Sequence, residues 1–246
     1  MTHTLLLVLT GMMAGMVNSI AGGGIFLVLP ALIMAGLTGK EANASGSFAV
    51  WSGQAVSLYE NRQLLPKKSI LVKQLIGIGL IGSIIGGLLL VYTPNVDFEH
   101  ALPYLNIAAT LIFVLGPWLK KKRRQRTLPW WVFPLFCLAI GVYGGYFGGG
   151  LGMLMLAVLS MTQLRDVRQQ NAVKLLAATV INLTSLIVVV FANLIVWRAA
   201  LPAAAGAFTG GYIGARFSKK VSDTNIRYIV IAIGTLTSVY LFMKFY

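Results

Sequence analysis

The chain has 246 residues, of which 57% are apolar and only 11% charged, with a mean hydropathy of +0.81. A soluble domain carries about twice that share of charge, so a water-soluble module is excluded and an all-α polytopic membrane protein is expected. The formal charge of +14 sits mostly in loops and lacks the interleaved stacking aromatics of a nucleic-acid surface, which excludes that partner in favour of the lipid bilayer.

Apolar runs of spanning length fall at about 4–38, 43–59, 70–92, 102–119, 130–164, 171–197, 199–215 and 226–243. A spanning helix needs about 20 residues, so residues 1–246 read as a single transmembrane transport domain. The opening Met1-Thr2-His3-Thr4 has no Lys or Arg ahead of its apolar run. It lacks the charged start of a secretory signal and is expected to belong to the mature fold.

As continuous helix the first run would be about 50 Å long, too long for a hydrocarbon core of about 30 Å. It must break, and the break is expected at Gly22-Gly23-Gly24, since glycine permits positive φ and close backbone approach. Asn18 and Ser19 lie just before it. Ile25 opens the next helix, whose exposed N–H groups favour negative charge.

In the run from Asn43, the residues Asn43, Ser47, Gln54 and Ser57 share one helix face. Gly82 and Gly86, like Gly11 and Gly15 or Gly210 and Gly214, have the GxxxG spacing of a packing face. The segment Lys120-Lys121-Lys122-Arg123-Arg124-Gln125-Arg126 lies between Trp118 and Trp130. Cations flanked by interfacial tryptophan mark a topology signal, the basic loop 120–129.

The run 130–164 repeats the first pattern, with Gly148-Gly149-Gly150 at its break and Tyr143, Tyr146 and Phe147 beside it. Its Cys137, the single cysteine, excludes an intrachain disulfide. A helix beginning near Asn171 then carries Asn171, Lys174, Ala178, Asn182 and Ser185 on one stripe. These polar faces have two readings: they line a central site, or they make interhelical hydrogen bonds. Lys174 likewise has two, a functional intramembrane charge or a lysine one turn from the cytoplasmic end whose stem snorkels to the headgroups.

The halves match each other. Gly15 aligns with Gly141 and the first glycine triplet with the second; after a two-residue slip, Asn43 aligns with Asn171, Gln54 with Asn182, Ser57 with Ser185, Gly82 with Gly210 and Gly86 with Gly214. Such agreement implies duplication, with repeat 1 at about 1–119 and repeat 2 at about 130–246. If both long runs fold as hairpins, the loops 60–69, 120–129, 163–170 and 216–227 share one side and collect most of the Lys and Arg. The positive-inside rule then makes that side cytoplasmic. Each repeat becomes a broken-helix hairpin at its glycine triplet plus three full transmembrane helices. That odd net number of crossings inverts the second repeat relative to the first, an arrangement that transporters use for alternating access.

The carboxylates Glu41, Glu60, Asp97, Glu99, Asp166 and Asp223 all fall in loops or at predicted helix ends. A buried carboxylate relay for protons or sodium therefore has no obvious carrier. The sequence shows no Walker loop, no His/Cys metal cluster and no Ser/His/Asp set within the membrane, so neither an enzyme nor a cofactor is expected. Sequence leaves the oligomeric state open.

The pattern from Asn18 through the first triplet to Pro30, with Gly141 to Gly152 and Asn171-Ala172-Val173-Lys174 in the second half, resembles the TauE/SafE family of sulfite and organosulfonate exporters. Leu156 stands where the first half has Pro30, so any role of that proline is not duplicated. The resemblance implies a secondary transporter exporting small sulfur-containing anions such as sulfite, sulfoacetate or related organosulfonates across a bacterial plasma membrane. An anion-conducting channel and an exporter of another small sulfur metabolite are the alternatives. The substrate-binding residues expected on these grounds are Asn18, Ser19, Gly22, Gly23, Gly24, Asn43, Ser47, Gln54, Tyr143, Tyr146, Gly148, Gly149, Gly150, Asn171, Lys174 and Asn182.

Overall fold

A computed structural model describes residues 2–66, 69–123, 131–164, 166–217 and 223–246. Its elements are α1 (Thr2–Ile20), α2 (Ile25–Met34), α3 (Gly39–Asn61), a 3-10 turn (Arg62–Leu64), α4 (Ile70–Tyr92), α5 (Asn95–Arg123), α6 (Val132–Tyr146), α7 (Leu151–Leu159), α8 (Val167–Phe191), α9 (Trp197–Phe217) and α10 (Asp223–Phe245). No strand occurs among the described residues. The core of the basic loop, residues 124–129, and the residues 218–222 lie outside the described residues.

Local chemistry sets several helix starts. Thr38 and Glu41 form a capping box at α3, the Ser69 hydroxyl accepts from Val72 N at α4, and Asp166 accepts from Arg168 N at α8. Each cap satisfies a backbone N–H that the helix itself leaves unpaired. The Asp166 cap also corrects the expected start of the polar-stripe helix: α8 begins at Val167 and not near Asn171. Lys174 therefore lies about two turns inside it.

Close helix contacts follow the small residues. On α1 a Cβ at Gly11 or Gly15 would collide with the Ala203 or Ala207 carbonyl of α9, and one at Gly210 would collide with the Met12 carbonyl of α1. The other pair behaves the same way: Gly86 on α4 abuts the Val142 carbonyl of α6, and Gly141 abuts the Gly79 carbonyl of α4. Van der Waals packing at this distance is what holds helices together where no hydrophobic effect operates between them. α1 thus packs along α9 and α6 along α4, while α3 lies on α9 and α8 on α4. In each case the partner of a first-half helix comes from the second half.

α3 and α8 cross at the centre, α5 packs on α10, α2 rests near α10 and α7 near α5. The outer faces are apolar: Ile81, Ile84, Ile85 and Leu88 on α4 and Leu183 and Ile187 on α8 are exposed. Among the described residues, α4, α8 and the Tyr228–Phe245 part of α10 are long and apolar enough to cross a bilayer. The fold is that of a multi-pass membrane protein whose polar residues are turned inward.

Candidate functional site

At the first glycine triplet the chain leaves helical geometry between Ile20 and Ile25. Gly22 has φ +87°, a conformation that a side chain strains. Space is also short: a Cβ on Gly24 would lie 2.9 Å from Asn18 Cβ. Asn18 is 4% exposed, and its Nδ2 is buried with no hydrogen-bond partner among the described residues. Ser19, also buried, donates to Met16 O one turn back at 2.8 Å. Asn18 is therefore the residue here with a donor to offer, whereas the Ser19 proton serves its own helix.

The second triplet separates α6 from α7, with Gly148 at φ +75° and Gly150 at φ +73°. The Tyr143 hydroxyl donates to Gly149 O at 2.6 Å and pins the turn. Tyr146 packs edge-on against Phe98, ring centroids 5.4 Å apart. Both tyrosines thus stand against the break, but the Tyr143 proton is engaged by it.

The two breaks touch. A Cβ on Gly22 would lie 2.7 Å from Gly152 Cα in the first turn of α7, and one on Gly149 would lie 3.0 Å from Ile25 Cγ2 at the start of α2. The N-terminal turns of α2 and α7 are therefore brought together, each carrying N–H groups that the helix ladder leaves open and the positive end of a helix dipole.

Lys174 reaches this place from α8. Its side chain passes Gly152, where a Cβ would meet its Cδ at 3.3 Å, and its Nζ donates to Ile20 O at 3.4 Å. It is 1% exposed, so its side chain is enclosed by the protein and does not extend outward as a snorkelling lysine would. The ammonium also offsets the negative C-terminal end of α1. Nearby, Asn171 Oδ1 is buried with no hydrogen-bond partner among the described residues.

The remaining expected residues gather a short way off. Asn182 Nδ2 donates to Gln54 Oε1 at 2.8 Å across the α3–α8 crossing. Asn43, Ser47 and Asn182 line a void of about 10 Å³ together with Gly144, Gly145 and Ser185. Asn43 Nδ2 donates to Tyr146 O at 3.2 Å, and Ser185 Oγ donates to Gly145 O at 2.8 Å. The void has room for a single water-sized occupant. The structure thus divides the expected set between two places: Asn18, Gly22 to Gly24 and Lys174 at the first break, and Asn43, Ser47 and Asn182 at the second.

Two polar features escape a reading of the sequence. Lys40 is buried and caps the end of α4, its Nζ donating to Val91 O at 2.9 Å and Thr93 O at 2.7 Å. Asn106 on α5 donates to Gly234 O at 2.8 Å and Ser238 Oγ at 2.7 Å on α10. The signal for the second was present, since Asn106 is an amide in an apolar run and Gly234 is its repeat counterpart.

A buried lysine between glycine breaks lies inside a helical bundle with an apolar outer face, the arrangement of a multi-pass membrane protein. The model of the sulfite exporter TauE/SafE family matches residues 7–241. The chain belongs to that family. It is 29% identical over 230 residues to the probable membrane transporter protein YfcA of Escherichia coli strain K12, covering 92% of this chain and 85% of the relative. Over 227 residues it is 28% identical to a probable membrane transporter protein of Haemophilus influenzae, covering 90% and 87% of the two chains. The probable membrane transporter protein ORF9 of a Sinorhizobium species is 29% identical over 211 residues, 83% of this chain and 79% of that one. No solved structure matches the chain. Membership and relatives together make it a membrane transporter.

Proposed function

We propose that the protein is a secondary transporter that exports small sulfur-containing anions, sulfite, sulfoacetate or related organosulfonates, across the plasma membrane by alternating access. The observation that carries this reading is Lys174, 1% exposed and bonded to the last carbonyl of α1 at the first glycine break. Its ammonium, the Asn18 amide and the N-terminal turns of α2 and α7 together favour a compact oxyanion. Carriage and not catalysis is the activity assigned.

Alternating access is supported by the exchange of partners between halves. The α1–α9 and α6–α4 packings correspond under the repeat, as do α3–α9 and α8–α4. An inverted pair of repeats would generate that correspondence, and exchanging the roles of the halves would then open the site to either side. The positive-inside rule supports a cytoplasmic basic loop 120–129. Gly148 to Gly150, Tyr143, Tyr146, Gln54 and Asn171 belong to the walls that would move in that exchange, with Ser19 packed behind the first.

The test is thermal unfolding of the purified protein with sulfite, sulfoacetate, sulfate and chloride at matched ionic strength. A ligand present at 100 times its Kd stabilises by about 2.7 kcal/mol. Stabilisation by sulfite or sulfoacetate beyond that given by sulfate and chloride supports the assignment. Equal curves for all four anions contradict it, and reconstituted flux at channel rates would favour a pore.

A further inference from the structure

The two halves use the same position at each break but fill it differently. At the first break the last carbonyl of α1, Ile20 O, accepts from Lys174 Nζ at 3.4 Å. At the second the last carbonyl of α6, Tyr146 O, accepts from Asn43 Nδ2 at 3.2 Å. Ile20 and Tyr146 are repeat counterparts, and the counterpart of Lys174 is Gly46. The end of α6 therefore carries the negative partial charge of a helix C-terminus with no tethered ammonium in the corresponding position.

Against this helix end lies the void of about 10 Å³, whose polar side is formed by Asn43, Ser47, Asn182 and Ser185 and whose remaining wall is glycine and aliphatic side chains. Asn43 is 1% exposed, and its Oδ1 is buried with no hydrogen-bond partner among the described residues. A buried amide oxygen without a donor costs about 1–3 kcal/mol. The size of the void suits one water or one small ion. Its chemistry favours a cation, because neutral side-chain oxygens and helix C-terminal ends are how broken-helix transporters hold sodium. A divalent ion would call for carboxylates, and none is among the ten lining residues. An anion would face the wrong end of α6.

We propose that this void binds a small monovalent cation, sodium in size, which takes at the second break the place that Lys174 takes at the first. The Asn43 Oδ1 and the Ser47 hydroxyl are its side-chain ligands. The ion balances the end of α6 as the lysine ammonium balances the end of α1. The site is one of binding, and it stands whether or not an anion is exported from the other break.

The experiment measures the unfolding temperature of the purified full-length protein in sodium chloride against choline chloride, with chloride and ionic strength held equal. Sodium should raise it saturably by several degrees over choline. That rise should vanish in Asn43→Ala, shrink in Ser47→Ala and persist in Lys174→Ala, which addresses the anion site and so separates the two assignments. Identical curves in sodium and choline, or a full sodium response in Asn43→Ala, overturn the proposal. Should Asn43→Ala fail to fold, Ser47→Ala decides alone: an undiminished sodium response there overturns it equally.

Discussion

Asn182 Nδ2 donates to Gln54 Oε1 at 2.8 Å, and these two amides are repeat counterparts meeting across the crossing of α3 and α8. Trp51 Nε1 donates to the carbonyl of its own counterpart, Thr179, at 3.1 Å in the same crossing. If an axis relates the proposed repeats, residues that bond their counterparts lie close to it. The α3–α8 crossing is accordingly where a rearrangement of one half against the other would be felt first.

The amide pair should be worth about 0.5–2 kcal/mol, the range measured for interhelical hydrogen bonds in membrane proteins. Gln54→Ala and Asn182→Ala should each lower stability by that amount, and the double variant by less than the sum of the two. Unfolding in mild detergent checks it. Additive losses would mean that the two amides do not work as a pair.

Two glycines separate backbone strain from collision. Gly36 has φ +94° with nothing within 4 Å of a Cβ, whereas Gly22 has φ +87° and a Cβ there would lie 2.7 Å from Gly152 Cα. Gly36→Ala should therefore cost only the left-handed penalty of about 1–2 kcal/mol. Gly22→Ala should cost several and abolish transport, because the two breaks can no longer touch. Equal losses, measured by thermal unfolding, would show that the contact between breaks is unimportant.

Topology gives a third expectation. In a Cys137→Ala background, single cysteines in loop 120–129 and in 216–227 should react with a membrane-impermeant reagent only from the cytoplasmic side. Labelling of 216–227 from outside intact cells would remove the hairpin reading and the inversion of the second half.

Lys174→Ala should reduce anion stabilisation at least tenfold in apparent affinity with the fold retained, and Lys174→Arg should keep part of it. The guanidinium preserves the charge but not the compact point donor. Anion titrations monitored by unfolding temperature distinguish the outcomes. Unchanged affinity in the alanine variant would return Lys174 to a purely structural role beside Ile20.

The sequence made the helices legible because in a bilayer length and apolarity nearly suffice, and the glycine pairs because close packing has a fixed spacing. Helix α8 was less so: its true start hangs on Asp166, a single capping side chain outside the apolar run. A helical stripe gives a direction but no partner, so the faces of Asn43 and Asn182 could be drawn while the Gln54–Asn182 bond could not. The division of the expected residues between two breaks was hidden for the same reason. Lys40 reads as a loop cation beside Glu41, and only the fold brings the end of α4 over its ammonium.

The most direct measurement is sulfite efflux from proteoliposomes under a potassium diffusion potential. For an anion carried past a fixed lysine, the membrane potential contributes about 2.3 kcal/mol per charge per 100 mV. A lumen-negative potential should therefore speed saturable efflux without a proton or sodium gradient, and Lys174→Ala should abolish it. Efflux that ignores the potential and stops when the proton or sodium gradient is removed, or that continues unchanged in Lys174→Ala, would contradict the account.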